Sequence, residues 1–337
     1  MRPARLIGLQ FAALPVALLA ALAMGSVSLG PGESLAALFS PGEAGGTAAI
    51  VQQIRLPRAL MAALVGAMLG ISGAAMQGMF RNPLADPSLI GVTAGASLGA
   101  SCLIALAAPL IHGALGLTLV SAGAFIGGML AVLLVYRLAR SEMGTSVATM
   151  LLAGIAITAL AGAGGNILEL YSSNEVLRRI SLWRMGGLDG ADFPRALVAL
   201  LVGGVTIGLL PRFATALNAL LLGESEARYL GVPVERTKRA IILLVALAVG
   251  CSVALAGTIA FVGLVVPHIV RLLIGPDHRY LLPASAQAGA LLLLLADTLA
   301  RTAVAPMELP VGVVTAIVGV PFFISLLRQR RDYGIGG

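Results

Sequence analysis

Charged residues are scarce in this chain, and their scarcity excludes an ordinary water-soluble protein. Only 11% of the 337 residues are Asp, Glu, Lys or Arg, whereas a typical soluble domain contains about 25%. Apolar residues make up 58% of the chain, and the mean hydropathy is +0.99. The composition therefore predicts an integral membrane protein.

Aromatic residues and cysteines are also few. Aromatic residues make up 4% of the chain, while 42 residues are glycine. Because no hydrophobic force drives helices together inside lipid, closely packed membrane helices favour small residues, and the composition predicts a helical bundle. Cys102 and Cys251 lie in apolar segments with no Cys or His at ligand spacing. They indicate neither a disulfide framework nor a metal site.

Catalytic and nucleotide-binding motifs are missing from the sequence. It contains no HExxH, no Walker A lysine motif and no CxxC. The segment Gly70–Gly73 (GISG) matches the GxSG of rhomboid-type intramembrane proteases, but those proteases place a Trp-Arg loop before the serine, whereas Trp183 and Arg184 follow it here. We therefore expect no enzymatic activity, cofactor or metal in this chain, and interpret the lone His268 as a structural histidine.

Apolar runs of about 17 to 25 residues are long enough to cross the roughly 30 Å hydrocarbon core of a membrane, and about ten of them can be marked. They lie approximately at 6–29, 59–80, 88–111, 114–135, 146–170, 195–211, 240–256, 258–274, 281–300 and 311–327. No polar segment between them is long enough for a separate soluble domain. The sequence predicts an all-α polytopic protein with a single transmembrane domain, 1–337.

The net charge of +7 is explained by membrane topology. With the N-terminus in the cytoplasm, most of the 22 Lys and Arg residues fall on inside segments, as the positive-inside rule requires, and both termini are then cytoplasmic. No basic patch interleaved with aromatic residues occurs, so we expect no nucleic-acid partner. A cleaved secretory signal remains an alternative for the first run, because Met1–Arg5 is basic and Ala21–Ala23 resembles a cleavage site.

Two of the predicted helices carry a stripe of small residues that ends in a polar group. The first stripe comprises Gly66, Gly70 and Gly73 and ends in Gln77, and the second comprises Gly154, Thr158, Ala161 and Gly165 and ends in Glu169. A stripe of this kind is typical of a helix packing face, but its repetition also fits a translocation pathway, where small residues leave volume for cargo. We expect both stripes to line a pathway. After the first stripe, two prolines in Arg81–Pro87 force the chain to reverse.

Several long blocks of the sequence resemble the FecCD-like permease subunits of bacterial type II ABC importers, which take up vitamin B12, haem and ferric siderophores. These blocks are RLPR at 55–58, SGAAMQGMFRNPLADPSLIGVTAGA from Ser72, WRMGGL from Trp183, LNALLLGESEARYLGV from Leu217, AGTIAFVGLVVPHIVR from Ala256, DHRYLLP from Asp277, ADTLAR from Ala296 and ELPVGVVTAIVGVPFF from Glu308. The resemblance implies ten helices per subunit and a homodimer with its pathway on the two-fold axis. It also implies two cytoplasmic ATPase subunits that bind ATP and Mg, a periplasmic binding protein, and a bacterial inner-membrane location.

The resemblance further implies roles for individual residues at the cytoplasmic side. Asn82 and Leu84 match positions of the cytoplasmic gate, as do Val147 and Ala148, where the vitamin B12 importer has Thr-Ser. The segment 217–235 matches the coupling helices that contact the ATPase. Its contact residues are expected to be Leu222, Gly223, Glu224, Ala227, Arg228, Leu230 and Gly231, with the charged side chains pairing across the contact and the apolar ones buried by it.

At the periplasmic side, the resemblance implies that Arg55, Arg58 and Arg301 dock acidic residues of the binding protein. Arg178 and Arg179 lie in the outer linker after the fifth helix and could attract an anionic complex such as haem or a ferric siderophore; a surface pair near lipid headgroups is the alternative. We expect an iron complex as cargo, haem being favoured, and keep cobalamin as the alternative. An ion-coupled secondary transporter is disfavoured because nearly all charges lie at predicted helix ends.

Overall fold

Helices form almost all of the regular structure in the computed structural model, which describes residues 1–25, 27–39, 46–106, 113–142 and 144–332. The helices are α1 (Pro3–Ala23), α2 (Pro31–Phe39), α3 (Gly46–Ala49), α4 (Leu56–Met79), α5 (Val92–Leu106), α6 (Gly113–Ala139), α7 (Val147–Leu170), α8 (Asn174–Arg184), α9 (Phe193–Leu209), α10 (Ala214–Leu222), α11 (Glu224–Tyr229), α12 (Val234–Ala256), α13 (Val262–Ile274), α14 (His278–Thr302) and α15 (Val311–Asp332). A π-helical turn (Ile50–Arg55) precedes α4, and short 3₁₀ turns cover Pro87–Ile90 and Leu210–Phe213. An antiparallel hairpin pairs β1 (Arg140–Ser141) with β2 (Gly144–Thr145).

Ten apolar helices in the described part of the chain correspond to the ten predicted spans. Seven helical stretches are long and apolar enough to cross a membrane: α1, Gly46–Met79, α6, α7, Phe193–Leu222, α12 and α14. The three shorter apolar helices are α5, α13 and the segment Val311–Ser325 of α15. The prediction of a ten-helix membrane domain is therefore confirmed.

Helix α4 lies at the centre of the bundle, where it packs against α14, α13, α9 and α12. Its glycines permit this packing, because a Cβ atom on Gly66 would overlap the carbonyl oxygen of Gly289, and one on Gly70 would overlap that of Ser285. Backbone atoms cannot move aside as a flexible side chain can. The close approach of α4 and α14 therefore requires glycine at these positions.

The bundle has two ends, which we call inner and outer. At the inner end α4 finishes and α14 begins, and the imidazole of His278 packs against Gly78. The hairpin β1–β2, α10 and α11 also lie at this end. Asn218 of α10 donates to Asp277, and Lys238 near the start of α12 contacts both Glu224 of α11 and Thr145 of the hairpin. At the outer end α4 begins and α14 finishes.

Candidate functional site

The predicted chain reversal after α4 is present, and short polar side chains fix its conformation. The side chain of Asn82 accepts the N–H of Leu84 at 3.0 Å, and that of Asp86 accepts the N–H of Ser88 at 2.8 Å. Such local bonds are what Asn and Asp contribute to turns. Burial raises the pKa of Asp86. Asn82 is exposed and Leu84 is half-buried, so both remain available for the predicted gate role.

The second predicted gate element lies at the start of α7. The side chain of Ser146 accepts the N–H of Thr149 at 3.2 Å and so caps α7. Val147 is half-buried, while Ala148 is exposed. The 3₁₀ turn that follows the reversal packs on α7, where the carbonyl oxygen of Leu89 would overlap a Cβ atom on Gly154. Both gate elements thus lie at the inner end, and the turn that follows the first one packs on α7.

The coupling segment presents a group of large apolar side chains that have no cover in the described part of the chain. Leu222, Tyr229 and Leu230 are 67%, 92% and 65% exposed, and we call these three residues the coupling surface. Gly223 and Gly231 bound α11 with φ values of +132° and +82°, which favour glycine. An exposed apolar group at one end of a bundle is typical of an interaction surface. The sequence analysis did not predict Tyr229 as a contact residue. The signal was an aromatic residue directly after the charged stretch ESEAR and before LGV.

Two expectations for the coupling segment are wrong. Ala227 is fully buried within its own chain and is not left for a partner to cover. Glu224 does not present a free carboxylate, because its Oε1 lies 2.6 Å from Nζ of Lys238 and its Oε2 lies 3.9 Å from Arg228. Lys238 is 1% exposed, and a buried ammonium group must find oxygen partners inside the protein. Arg228 is exposed, and its ion pair with Glu224 is the longer of the two, at 3.9 Å.

At the outer end, the arginines predicted to dock a binding protein are turned inward. Arg58, in the first turn of α4, lies 2.9 Å from Asp297 and 2.7 Å from Glu308. Arg301 lies 3.1 Å from the same Asp297, which precedes it by four positions in α14. The pair of Arg58 with the fully buried Asp297 therefore fastens α4 to α14, whereas the pair of Arg301 with Asp297 lies within α14.

Arg55 completes this arrangement by binding the end of α1. Its guanidinium donates to the carbonyl oxygens of Leu22 and Ala23 at 2.6 and 2.9 Å, and also to that of Val27. Cations suit the carbonyl end of a helix. The prediction that Arg55, Arg58 and Arg301 present their charges to a partner is therefore wrong: each side chain is buried and bonded within the chain.

The glycine stripe of α4 is a packing face and does not line an open pathway. Gly66 and Gly70 face α14, a Cβ atom on Gly73 would overlap the carbonyl oxygen of Gly263, and all three glycines are buried. Gln77 is fully buried; it donates to the carbonyl oxygen of Leu264 at 3.1 Å and accepts from Arg271 at 3.3 Å. The pathway-lining prediction is wrong for all four residues of this stripe.

The stripe of α7 divides between buried and open positions. Gly154 and Ala161 are buried, so the pathway-lining prediction is wrong for them also. Thr158 is exposed, and no atom lies within 4 Å of the place where a Cβ atom on Gly165 would stand. Five large apolar side chains elsewhere on the helix are exposed as well: Leu152, Ile155, Leu160, Ile167 and Leu170. We call the side of the helix that carries Thr158 and Gly165 the open face of α7.

Helix α8 follows the outer end of α7 and carries the two arginines predicted to attract an anion. Arg179 lies 2.6 Å from Glu175, whereas Arg178 is exposed and has no ion pair in the described part of the chain. Of the two, only Arg178 offers an unneutralised charge. The lone histidine of α13, His268, packs edge-on against the ring of Phe322, with 6.2 Å between the ring centroids.

Comparisons with known proteins agree with one another. The model of the FecCD transport family matches residues 13–329. The Hemin transport system permease protein HmuU of Yersinia pestis is 45% identical over 95% of both chains. The Cobalamin import system permease protein BtuC of Halobacterium salinarum is 46% identical over 84% of this chain and 74% of its own. A metal-chelate type ABC transporter solved in an inward-facing conformation superposes with a TM-score of 0.85 at 30% identity, covering 96% of this chain and 99% of the other.

Proposed function

This chain belongs to the FecCD transport family, and we propose that its cargo is haem, moved from periplasm to cytoplasm across a bacterial inner membrane. The chain is the multi-pass permease subunit of an ABC importer and is not itself an enzyme. Such a permease works with an ATPase and with a substrate-binding protein. The residues that serve each contact in this chain are part of the proposal.

The proposed assembly is a homodimer of this chain with two ATPase subunits at the inner end and one binding protein at the outer end. The ATPase subunits bind ATP and Mg, and this chain contributes no cofactor. The coupling surface supports the placement of the ATPase, because three exposed apolar side chains lie there beside Arg228. The inner end is cytoplasmic in this proposal, and both termini lie on that side, as the distribution of arginines favours.

The ATPase contact is tested by co-purification of the ATPase with the permease. The double replacement Tyr229→Ser and Leu230→Ser removes most of the coupling surface, and we expect recovery of the ATPase to fall about tenfold or more, since buried apolar anchors dominate interfaces. Leu201→Ser, on the exposed side of α9, is the control and retains recovery. Equal recovery from both variants would contradict the placement.

The proposed pathway runs along the open face of α7, where exposed Thr158 and open Gly165 lie among apolar side chains. The gate residues Asn82, Leu84, Val147 and Ala148 stand at its inner end. ATP binding moves the coupling segment, and the gate residues then separate or close. Because the face is apolar and nearly free of charge, cargo can pass without being held by strong bonds.

Haem is favoured as cargo by the chemistry of this face. Haem is a flat apolar ring with two carboxylates, so an apolar surface with an unpaired arginine, Arg178, near its outer end suits both parts. Sequence identity does not separate the candidates, because the haem and cobalamin relatives are 45% and 46% identical to this chain. Cobalamin therefore remains the second candidate, and a ferric siderophore shares the anionic chemistry of haem.

Transport by the importer reconstituted in vesicles tests the cargo. With its binding protein outside and ATP inside, we expect haem to accumulate, and excess cyanocobalamin or ferric siderophore to leave the rate unchanged. Accumulation of cyanocobalamin and no accumulation of haem would reverse the choice. Accumulation that follows an ion gradient without ATP would contradict the importer itself.

A further inference from the structure

A buried lysine joins the coupling segment to the second gate element. Lys238 is the fifth residue of α12, and its side chain is 1% exposed. Its Nζ donates to the carbonyl oxygen of Thr145 at 2.8 Å and lies 2.6 Å from Oε1 of Glu224. A third oxygen, Oε1 of Glu235, lies 3.5 Å away. Three oxygen atoms from three residues thus lie within 3.5 Å of the ammonium nitrogen.

The hairpin residue Thr145 is held at both of its backbone polar groups. Its N–H donates to Oε2 of Glu235 at 2.9 Å, while its carbonyl oxygen accepts from Lys238. Thr145 is followed directly by Ser146, the N-cap of α7, and then by the gate residue Val147. The position at which α7 begins is therefore set by two side chains of α12.

The other partner of Lys238 belongs to α11. Glu224 is the first residue of this helix and follows Gly223, whose positive φ lets the chain change direction after α10. The same short helix ends at Tyr229, which belongs to the coupling surface. One ion pair thus connects the helix that carries the coupling surface to the residues that hold the hairpin.

We propose that Lys238 is a positioning residue that transmits movement of α11 to the gate at Val147 and Ala148. The inference rests on the proposed function, because it requires an ATPase that moves the coupling surface. A buried ammonium group is stable only while its acceptors surround it. When Glu224 is displaced, Lys238 follows, and through the carbonyl oxygen of Thr145 it moves the start of α7.

The test measures gate accessibility in the assembled importer in nanodiscs. Cys102→Ala and Cys251→Ala remove the native thiols, and Ala148→Cys provides a site for a fluorescent maleimide. Trapping the ATPase with ATP and vanadate is expected to change the labelling rate at least about fivefold. With Lys238→Met added, ATP hydrolysis by the partner continues, but the change in labelling falls below about twofold. Lys238→Arg, which keeps a cation, restores part of the change.

Arg239→Met is the matched control, since Arg239 is an exposed cation on the same turn of α12 with no ion pair in the described part of the chain. It retains the full change in labelling. A full change with Lys238→Met would overturn the inference. Should Lys238→Met not fold, Glu224→Gln replaces it, and a full change with that variant would overturn the inference equally. If trapping with ATP and vanadate left the labelling rate unchanged in the importer with an intact Lys238, that result would contradict both the proposed function and the inference.

Discussion

Helices α4 and α7 carry the same kind of small-residue stripe, yet they lie in opposite surroundings. In the helical stretch Gly46–Met79, which contains α4, 83% of an apolar 18-residue window is buried inside the protein, whereas in α7 the share is 22%. Each glycine of the α4 stripe faces the backbone of another helix, while Gly165 of α7 faces open space. The same residues thus serve close packing in one helix and an open surface in the other.

This difference shows that a stripe of small residues determines how closely something can approach a helix, but not what approaches it. For α4 the approaching group is already in the chain, because Gly289 and Ser285 of α14 stand opposite its glycines. For α7, no helix covers Thr158 in the described part of the chain. On the proposed function, a second copy of the permease and the cargo occupy that side.

The largest expected difference is in the stability lost when an ion pair is removed at the outer end of α4 or near the outer end of α7. Asp297→Ala leaves Arg58 and Arg301 buried without their shared carboxylate, so we expect a loss of about 3–5 kcal/mol of stability. Glu175→Ala removes an exposed pair of α8, near the outer end of α7, and should cost less than about 1 kcal/mol. Thermal unfolding in detergent compares the two variants. Equal losses would remove the distinction between a fastened α4 and an open α7.

The next difference concerns the glycines themselves. Gly66→Leu forces a side chain into the backbone of α14, and overpacking of this kind costs about 1–3 kcal/mol or more. Gly165→Leu enters open space and should leave the unfolding temperature nearly unchanged. The same unfolding assay in detergent measures both variants. If Gly165→Leu destabilised the monomer as strongly as Gly66→Leu does, the open face of α7 would have to be a packing face.

A third prediction concerns flux along the open face of α7. Thr158→Trp adds bulk where cargo is proposed to pass, and we expect the rate of haem uptake to fall about tenfold or more while the unfolding temperature stays the same. Leu201→Trp adds similar bulk on the exposed side of α9 and should not change uptake. Uptake in vesicles measures both. If Thr158→Trp left the rate of haem uptake unaffected, the result would contradict a pathway along the open face of α7.

The smallest expected effect is electrostatic. Arg178→Gln removes the unpaired cation of α8, and we expect a rise of a few-fold in the KM of haem uptake at low salt, with little change in the maximal rate. The difference should shrink near 0.15 M salt, because exposed charges are then screened. Arg179→Gln, whose charge Glu175 already neutralises, is the control and should give a smaller rise. A rise of the same size from both variants would mean that Arg178 has no special part.

The membrane architecture could be read from the sequence because span length and apolarity are local properties. All ten predicted spans correspond to helices, and the reversal at Arg81–Pro87 was predicted from its prolines. The surroundings of each side chain could not be read in this way. Arg58 and Asp297 are 239 positions apart in the sequence. Nothing near Arg58 in the chain therefore indicates that its charge is paired within the protein.

The same limit applies at the inner end. Lys238 resembles its exposed neighbours Arg236 and Arg239 in sequence, and only the fold shows that it is buried against Thr145 and Glu224. The exposure of Tyr229 likewise depends on how α11 lies on α12. The resemblance to the family predicted the coupling segment, but which of its side chains are buried or exposed depends on long-range contacts such as that of Glu224 with Lys238.

The distinction between α4 and α7 is tested most directly by cysteine accessibility in the assembled importer. In a background with Cys102→Ala and Cys251→Ala, Thr158→Cys probes the open face of α7, and Ser72→Cys probes the fully buried middle of α4. We predict that a small water-soluble maleimide labels Thr158→Cys, that haem-loaded binding protein with ATP slows this labelling, and that Ser72→Cys stays unlabelled. Rapid labelling of Ser72→Cys together with an inert Thr158→Cys would contradict the account.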